Sequence, residues 1–220
     1  MTFAIPAEWT FSSDAVAAGF DGHVREQLPW YDLVTGAVAQ IGRHYIGRGG
    51  LVYDIGASTG NVGRALAETL TAREARLVAI EESAEMAARY DGPGIVEVAR
   101  AEEYPFERFD FAVAMLTLMF MRPADVPLLV ASLAEKIAPG GALVVVDRTL
   151  PPRGYLATVT SRLTLAAKAA QGVSAEQIVA KELSLAGVQR PLDPYHLTTR
   201  GAVEWFRFGD FAGYVLEART

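Results

Sequence analysis

Three sets of carboxylates in this chain are spaced as a nucleoside site would need them. Asp54 stands two residues before Gly56 in Leu51-Val52-Tyr53-Asp54-Ile55-Gly56-Ala57-Ser58-Thr59-Gly60-Asn61. Glu81 and Glu82 follow a second apolar run at 75–80, and Glu102 and Glu103 follow a third at 95–98. An acidic residue some 20 positions past a glycine turn is placed to accept both hydroxyls of a ribose. A carboxylate after the third run could accept the amino group of an adenine. The same residues also suit plainer duties. Glu81 and Glu82 would serve as the acidic start of a helix, and Glu102 as half of a loop charge pair.

The glycines narrow the ligand. Gly56 permits a tight turn, because a residue without Cβ tolerates positive φ. Gly60 lets backbone approach a ligand at the start of a helix. A dinucleotide fingerprint, G-x-G-x-x-G, needs a middle glycine against the pyrophosphate, and Ser58 stands there instead. The pattern D-x-G-x-x-x-G suits S-adenosylmethionine, which has a methionine tail and no phosphate. A structural turn with no ligand would use the same residues.

These groups need a sheet to position them. The run at 51–56 reads as a strand, and Val62, Leu66 and Leu70 give the following segment, 60–71, one apolar face. Strands at 75–81, 95–99, 109–116 and 141–147 alternate with helices at 84–90 and 124–137, and residues 110–118 read as fully buried. Ala138-Pro139-Gly140-Gly141 closes a helix and opens a strand. The expectation is an α/β fold: a Rossmann-like, doubly wound, mostly parallel sheet with helices on both faces.

An N-terminal helical extension, 1–48, precedes it. Ser12-Ser13-Asp14 caps one helix and Pro29-Trp30-Tyr31-Asp32 begins another. Such an extension closes over a pocket or packs on the sheet edge. After 148, helices broken at Gln171-Gly172 lead to a loop at 189–196. A hairpin follows over 205–215, turning at Gly209-Asp210, with a short helix at 199–208 as the competing reading. The whole, 1–220, reads as a single domain: extension 1–48, core 49–148, and helical insertion with C-terminal strands 149–220.

Composition removes several functions. With no cysteine, disulfides, thiolate metal sites and cysteine nucleophiles are excluded. The three histidines, His23, His44 and His196, show no metal spacing, so no metal is expected. A net charge of −6 argues against a polynucleotide binder, and Arg148, Arg153, Arg162 and Lys168 read as a solvated helix face. No apolar run reaches the ~18 residues of a membrane helix. Residues 1–6 lack the pattern of an export signal, so a cytoplasmic location and no membrane contact are expected.

With these pieces placed, the chain resembles the class I S-adenosylmethionine-dependent methyltransferases. More narrowly, it is similar to the carboxy-S-adenosylmethionine synthase family, which supplies a carboxymethyl donor for tRNA wobble-uridine modification. The likeness runs from about residue 20 to 215. It is carried by Val52 to Ser58, by Ala79-Ile80-Glu81-Glu82-Ser83-Ala84-Glu85-Met86, by Leu116-Thr117-Leu118-Met119-Phe120, by Pro139-Gly140-Gly141-Ala142-Leu143-Val144, and by Trp205-Phe206 with Asp210-Phe211. The resemblance implies that Gly56, Ala57 and Ser58 line the methionine moiety, that Glu81 holds the ribose, that Glu102 lies near adenine, and that Tyr31 contacts the cofactor. It also implies a homodimer, for which the apolar run from Trp205 to Tyr214 is a candidate face; core packing would use that run equally.

Two positions depart from that family. Its asparagine at the end of the fourth strand is Met115 here. Its arginine after a lysine in the penultimate helix, which clamps the carboxylate of the modified donor, is Glu182 after Lys181. A glutamate repels what an arginine fork would hold. The expected function is therefore methyl transfer from plain S-adenosylmethionine to a small-molecule or tRNA-related, RNA-linked acceptor. The alternatives are a carboxy-S-adenosylmethionine synthase using prephenate, a nicotinamide enzyme, which Ser58 disfavours, and a non-catalytic cofactor-binding module. His196 and Tyr31 are the candidates for a proton-accepting group, with His196 better suited to an exposed loop.

Overall fold

The apolar runs assemble into one sheet. The computed structural model describes residues 4–218, so Met1, Thr2 and Phe3, part of the segment read above for an export signal, lie outside the described residues. Two helices lead in. α1 (Asp14–Gln27) is capped by the Ser13 side chain, which accepts from the Val16 N–H. α2 (Tyr31–Tyr45) starts directly after Trp30. Then follow β1 (Leu51–Ile55), α3 (Asn61–Arg73), β2 (Arg76–Glu81), the single turn α4 (Ala84–Ala87), β3 (Ile95–Val98), β4 (Phe109–Met115), α5 (Val126–Lys136) and β5 (Ile137–Arg148). The chain continues as α6 (Tyr155–Ala170), α7 (Ala175–Ser184), the short α8 (Tyr195–Thr198), β6 (Val203–Phe208) and β7 (Phe211–Glu217).

The strand order is β3-β2-β1-β4-β5-β7-β6. β1, β2, β3, β4 and β5 pair in parallel, while β7 runs antiparallel to both of its neighbours. The order reverses between β1 and β4, and the carboxyl ends of strands at such a reversal open a crevice. Both faces of the central strands are covered, which is why β1, β2 and β4 read as largely apolar runs. Tyr53, Ile55 and Phe109 pack toward α5, whereas Val52, Phe111 and Val113 pack toward α2 and α3. Among the described residues, no helix is long and apolar enough to cross a membrane.

Four local outcomes differ from, or decide between, the expectations. β4 ends at Met115 and does not run to 118, because Leu116 adopts φ 59 and 118–120 form one 3-10 turn. β5 begins at Ile137, which pairs with Phe109 before the register shifts ahead of Ala142. Pro139 and Gly140 therefore sit in an irregular strand segment. Residues 203–208 form a strand and the hairpin turns at Gly209, φ 55, so the competing short helix is not formed. Its apolar run packs inward: Phe211 and Tyr214 are buried, and Trp30 lies between Phe206 and Phe211 at ring distances of 5.2 and 5.1 Å.

The N-terminal extension lies over the cavity through α1 and on a face of the sheet, not its edge, through α2. α2 packs on α3 and the sheet through Val34 and Val38. α1 docks on the turn after β1: Asp21 Oδ1 accepts from Thr59 Oγ1 at 2.6 Å and from Asn61 Nδ2 at 2.8 Å.

Candidate functional site

A cavity of about 390 Å³ lies at the carboxyl ends of β1, β2, β4 and β5, walled on the far side by α1 and α7. Its floor is the turn after β1. Gly56, φ 71, and Ala57 donate their N–H groups to the Ile80 carbonyl at 2.8 and 3.1 Å. A Cβ on Gly56 would come within 2.4 Å of Thr117 Oγ1, which itself donates to the Ile55 carbonyl. Only glycine fits there. Ser58 also holds positive φ, 52, and its N–H donates to Glu81 Oε2 at 2.7 Å. Gly60, φ 90, begins α3 and does not itself line the cavity.

Carboxylates dominate this end. Glu81 is 8% exposed, and its other oxygen accepts from the Ser83 N–H at 2.9 Å. Burial raises its pKa and the backbone N–H bonds oppose the rise. A carboxylate offers about four acceptor sites, so Glu81 keeps capacity for a ligand hydroxyl. Asp54 is buried, and burial pushes its pKa up to about 7, against the N–H of Gly63. Asp54 Oδ2 has no partner among the described residues. A buried orphan acceptor beside a glycine cradle fits the ammonium and ribose of S-adenosylmethionine. Met115 lines the same wall, its sulfur 3.8 Å from Thr35 Oγ1. Tyr31 is buried there too, and burial raises its hydroxyl above the usual range, which suits a donor better than a base.

The third acidic pair is divided. Glu102 lines the cavity and is ion-paired with the Arg100 guanidinium, the loop charge pair of the plainer reading. Glu82 reaches the rim, 3.2 Å from Arg100 Nη1. Glu103 lies outside the lining, exposed and 3.7 Å from Arg100 Nε. His196, on α8, also lies outside it. Among the described residues, no cluster of three or more His, Asp or Glu side chains is gathered as metal ligands would be.

The opposite end is basic, and sequence reasoning missed it. Arg148 and Lys168, read above as part of a solvated face, line the cavity, Lys168 only 5% exposed. The reason is the orientation of α6: its buried residues are Thr160, Thr164 and Lys168, four apart, while Leu156, Val159 and Leu163 face outward. That polar i, i+4, i+8 stripe was the available signal. Lys168 Nζ pairs with Glu182 Oε1 at 3.0 Å, and Arg148 Nη1 lies 3.3 Å from Glu182 Oε2 and donates to Gln189 Oε1 at 2.7 Å. Lys181 lies over the Trp9 ring, and Trp9 stacks on His23 at 5.5 Å. Burial, then the Lys181 and Lys168 charges, lower the His23 pKa to about 3.

One further carboxylate shapes the wall without lining it. Asp147, fully buried, accepts from the N–H groups of Leu118 at 2.7 Å and Met119 at 3.3 Å, holding the loop after β4 against the cavity. Burial raises its pKa to about 7 against these bonds.

Residues 52–141 match the family model described as a methyltransferase domain. The carboxy-S-adenosyl-L-methionine synthase of Staphylococcus epidermidis is 25% identical over 222 residues, covering 96% of this chain and 97% of that protein. Among solved structures, the plantazolicin methyltransferase BpumL in complex with SAH has a TM-score of 0.63 at 9% identity, covering 93% of this chain and 89% of that one. The DhpI–SAH complex has a TM-score of 0.57 at 19% identity, covering 94% of each chain. Strand order, glycine turn and matched segment agree: residues 52–141 match a methyltransferase domain, and the fold is that of the SAH-bound methyltransferases above.

Proposed function

We propose that this enzyme takes unmodified S-adenosylmethionine and moves its methyl group to a small-molecule or RNA-linked acceptor. The observation that carries the choice of donor is Glu182. Where the resembled family has an arginine, this chain sets a carboxylate on the cavity wall, and its two cationic neighbours, Lys168 and Arg148, are already engaged with it. No guanidinium fork is left at that position for a donor carboxylate. The cofactor supplies an electrophilic methyl group. The protein's part is to bind and orient: Glu81 would hold the ribose hydroxyls, Asp54 Oδ2 the ammonium of the methionine tail, Gly56 to Ser58 the tail itself, and Tyr31, Met115 and Glu102 the remaining wall.

Isothermal titration tests this reading. S-adenosylmethionine and S-adenosylhomocysteine should bind, and carboxy-S-adenosylmethionine should bind at least about tenfold more weakly, a difference of about 1.4 kcal/mol. The reverse order, or a carboxylated ligand in the mass spectrum of the purified protein, would favour the second reading: a carboxy-S-adenosylmethionine synthase using prephenate, the synthase activity being that named for the Staphylococcus epidermidis relative. The reading extends to a homodimer. Its support is the outward apolar side of α6 and α7, with Leu156, Leu163, Val179 and Leu183 all exposed; sedimentation velocity would test it.

A further inference from the structure

Lys181 has no task in holding the donor. It comes from α7, is 7% exposed and lines the cavity. Among the described residues it makes no ion pair, because Glu182 gives its two oxygens to Lys168 and Arg148, and Asp210 pairs with Arg148 at 3.3 Å. Its ammonium lies over the face of Trp9. A buried ammonium without a counter-charge is costly. The groups facing it do not relieve that cost. His23 of α1 is held uncharged, Lys168 of α6 repels, and Glu182 of α7 attracts but is shared. Burial first, then Lys168, hold the Lys181 pKa down near 6.

Around Trp9 the corner is apolar: Phe11, Phe20, Leu185 and Val188 pack in the same cluster and share this cavity, while Arg148, Lys168 and Glu182 close its other side on one another. A cationic sulfonium belongs at the acidic end, away from these lysines. One cation without an ion pair, between an apolar cluster and a self-paired charge group, suits a monoanion; a phosphate dianion would require more donors than Lys181 has to offer.

We propose that this corner binds a carboxylate borne by the methyl acceptor, so that the substrate is a small, largely apolar carboxylic acid with its anion against Lys181. This rests on the donor reading above and names the acceptor class for the same cavity. An anion at Lys181 favours the ammonium form, so binding above the free lysine's pKa takes up a proton.

The probes are benzoate and its neutral isostere benzamide, titrated calorimetrically into the full chain saturated with S-adenosylhomocysteine. The titrations are run at pH 7.5 in two buffers of different ionisation enthalpy. Benzoate should bind at least about tenfold more tightly than benzamide, with uptake approaching about one proton. Lys181→Met should abolish both the preference and the uptake, while S-adenosylhomocysteine affinity, which also reports folding, stays within about twofold. Lys181→Arg should keep the preference and lose the uptake, because a guanidinium is charged throughout. Equal binding of the two probes by a chain that binds S-adenosylhomocysteine normally overturns this inference alone. So does a preference that survives Lys181→Met. A Lys181→Met loss of carboxy-S-adenosylmethionine affinity as large as the loss for benzoate places the carboxylate on the donor and overturns the assignment to the acceptor. A wild-type chain that fails to bind S-adenosylhomocysteine overturns the donor reading and this inference with it.

Discussion

Glu81 accepts the Ser58 N–H at 2.7 Å, and this one bond fastens the end of β2 to the turn after β1. The carboxylate proposed to hold the ribose thus also sets the backbone proposed to hold the methionine tail.

Glu81→Gln should lose both functions in part. Its amide NH2 must meet either the Ser58 or the Ser83 N–H, donor against donor. Hydrogen bonds to a charged acceptor contribute about 1.5–3 kcal/mol, so S-adenosylhomocysteine affinity should fall by about 10- to 150-fold. An unchanged dissociation constant by calorimetry would remove Glu81 from the site.

Gly56→Ala places a Cβ 2.4 Å from Thr117 Oγ1 on a residue at φ 71. The backbone penalty alone is on the order of 1–3 kcal/mol. The double variant Gly56→Ala/Thr117→Ala relieves the collision and leaves the φ strain, so urea melts should show a partial recovery of stability. Full recovery would mean that the turn tolerates a side chain and that the clash was the whole effect.

Asp54 gives a pH signature. Its pKa rises from 3.8 unfolded to about 7 folded, mainly through burial. The folded state therefore holds the proton longer, and the group's contribution to stability is full at low pH and is lost as pH rises through about 7. Asn mimics the protonated acid. Asp54→Asn should accordingly be less destabilising at pH 8 than at pH 5 in ligand-free urea melts. A cost that is equal at both values would show that the carboxyl ionises freely in the folded chain.

Asp21→Ala cuts α1 from the glycine turn by removing the acceptor of Thr59 Oγ1 and Asn61 Nδ2. Each bond is worth about 0.5–1.5 kcal/mol net. Limited proteolysis should find α1 cut sooner than in the wild type, with S-adenosylhomocysteine binding weakened and the core intact. Resistance equal to the wild type would assign the docking of α1 to Phe20, Val24 and their apolar neighbours instead.

The core was legible because its signals are local. β1, β2 and β4 lie on largely apolar, buried runs, and Val62, Leu66 and Leu70 mark the buried face of α3. The acidic end of the cavity follows from strand ends, whose positions in a doubly wound sheet are set by topology. The basic end does not. Arg148, Lys168 and Lys181 come from β5, α6 and α7, and only tertiary packing turns them toward one space. α6 adds to the difficulty by burying threonines and a lysine while its leucines face outward, against the usual amphipathic rule. Leu116 at φ 59 was likewise invisible, because the bond from its N–H to the Val146 carbonyl is non-local.

The strand order also bears on how the molecule is made. β7 follows β6 in the chain yet sits inside the sheet, between β5 and β6. During synthesis, residues up to 148 can form their parallel half while the hydrogen-bonding edge of β5 stays open, with wholly buried Val144 and Val146 along it. That edge closes only after residues 211–217 have left the ribosome. The nascent protein thus passes through a stage with an unsealed, aggregation-prone border, and the Phe211–Glu217 segment is the piece that ends it.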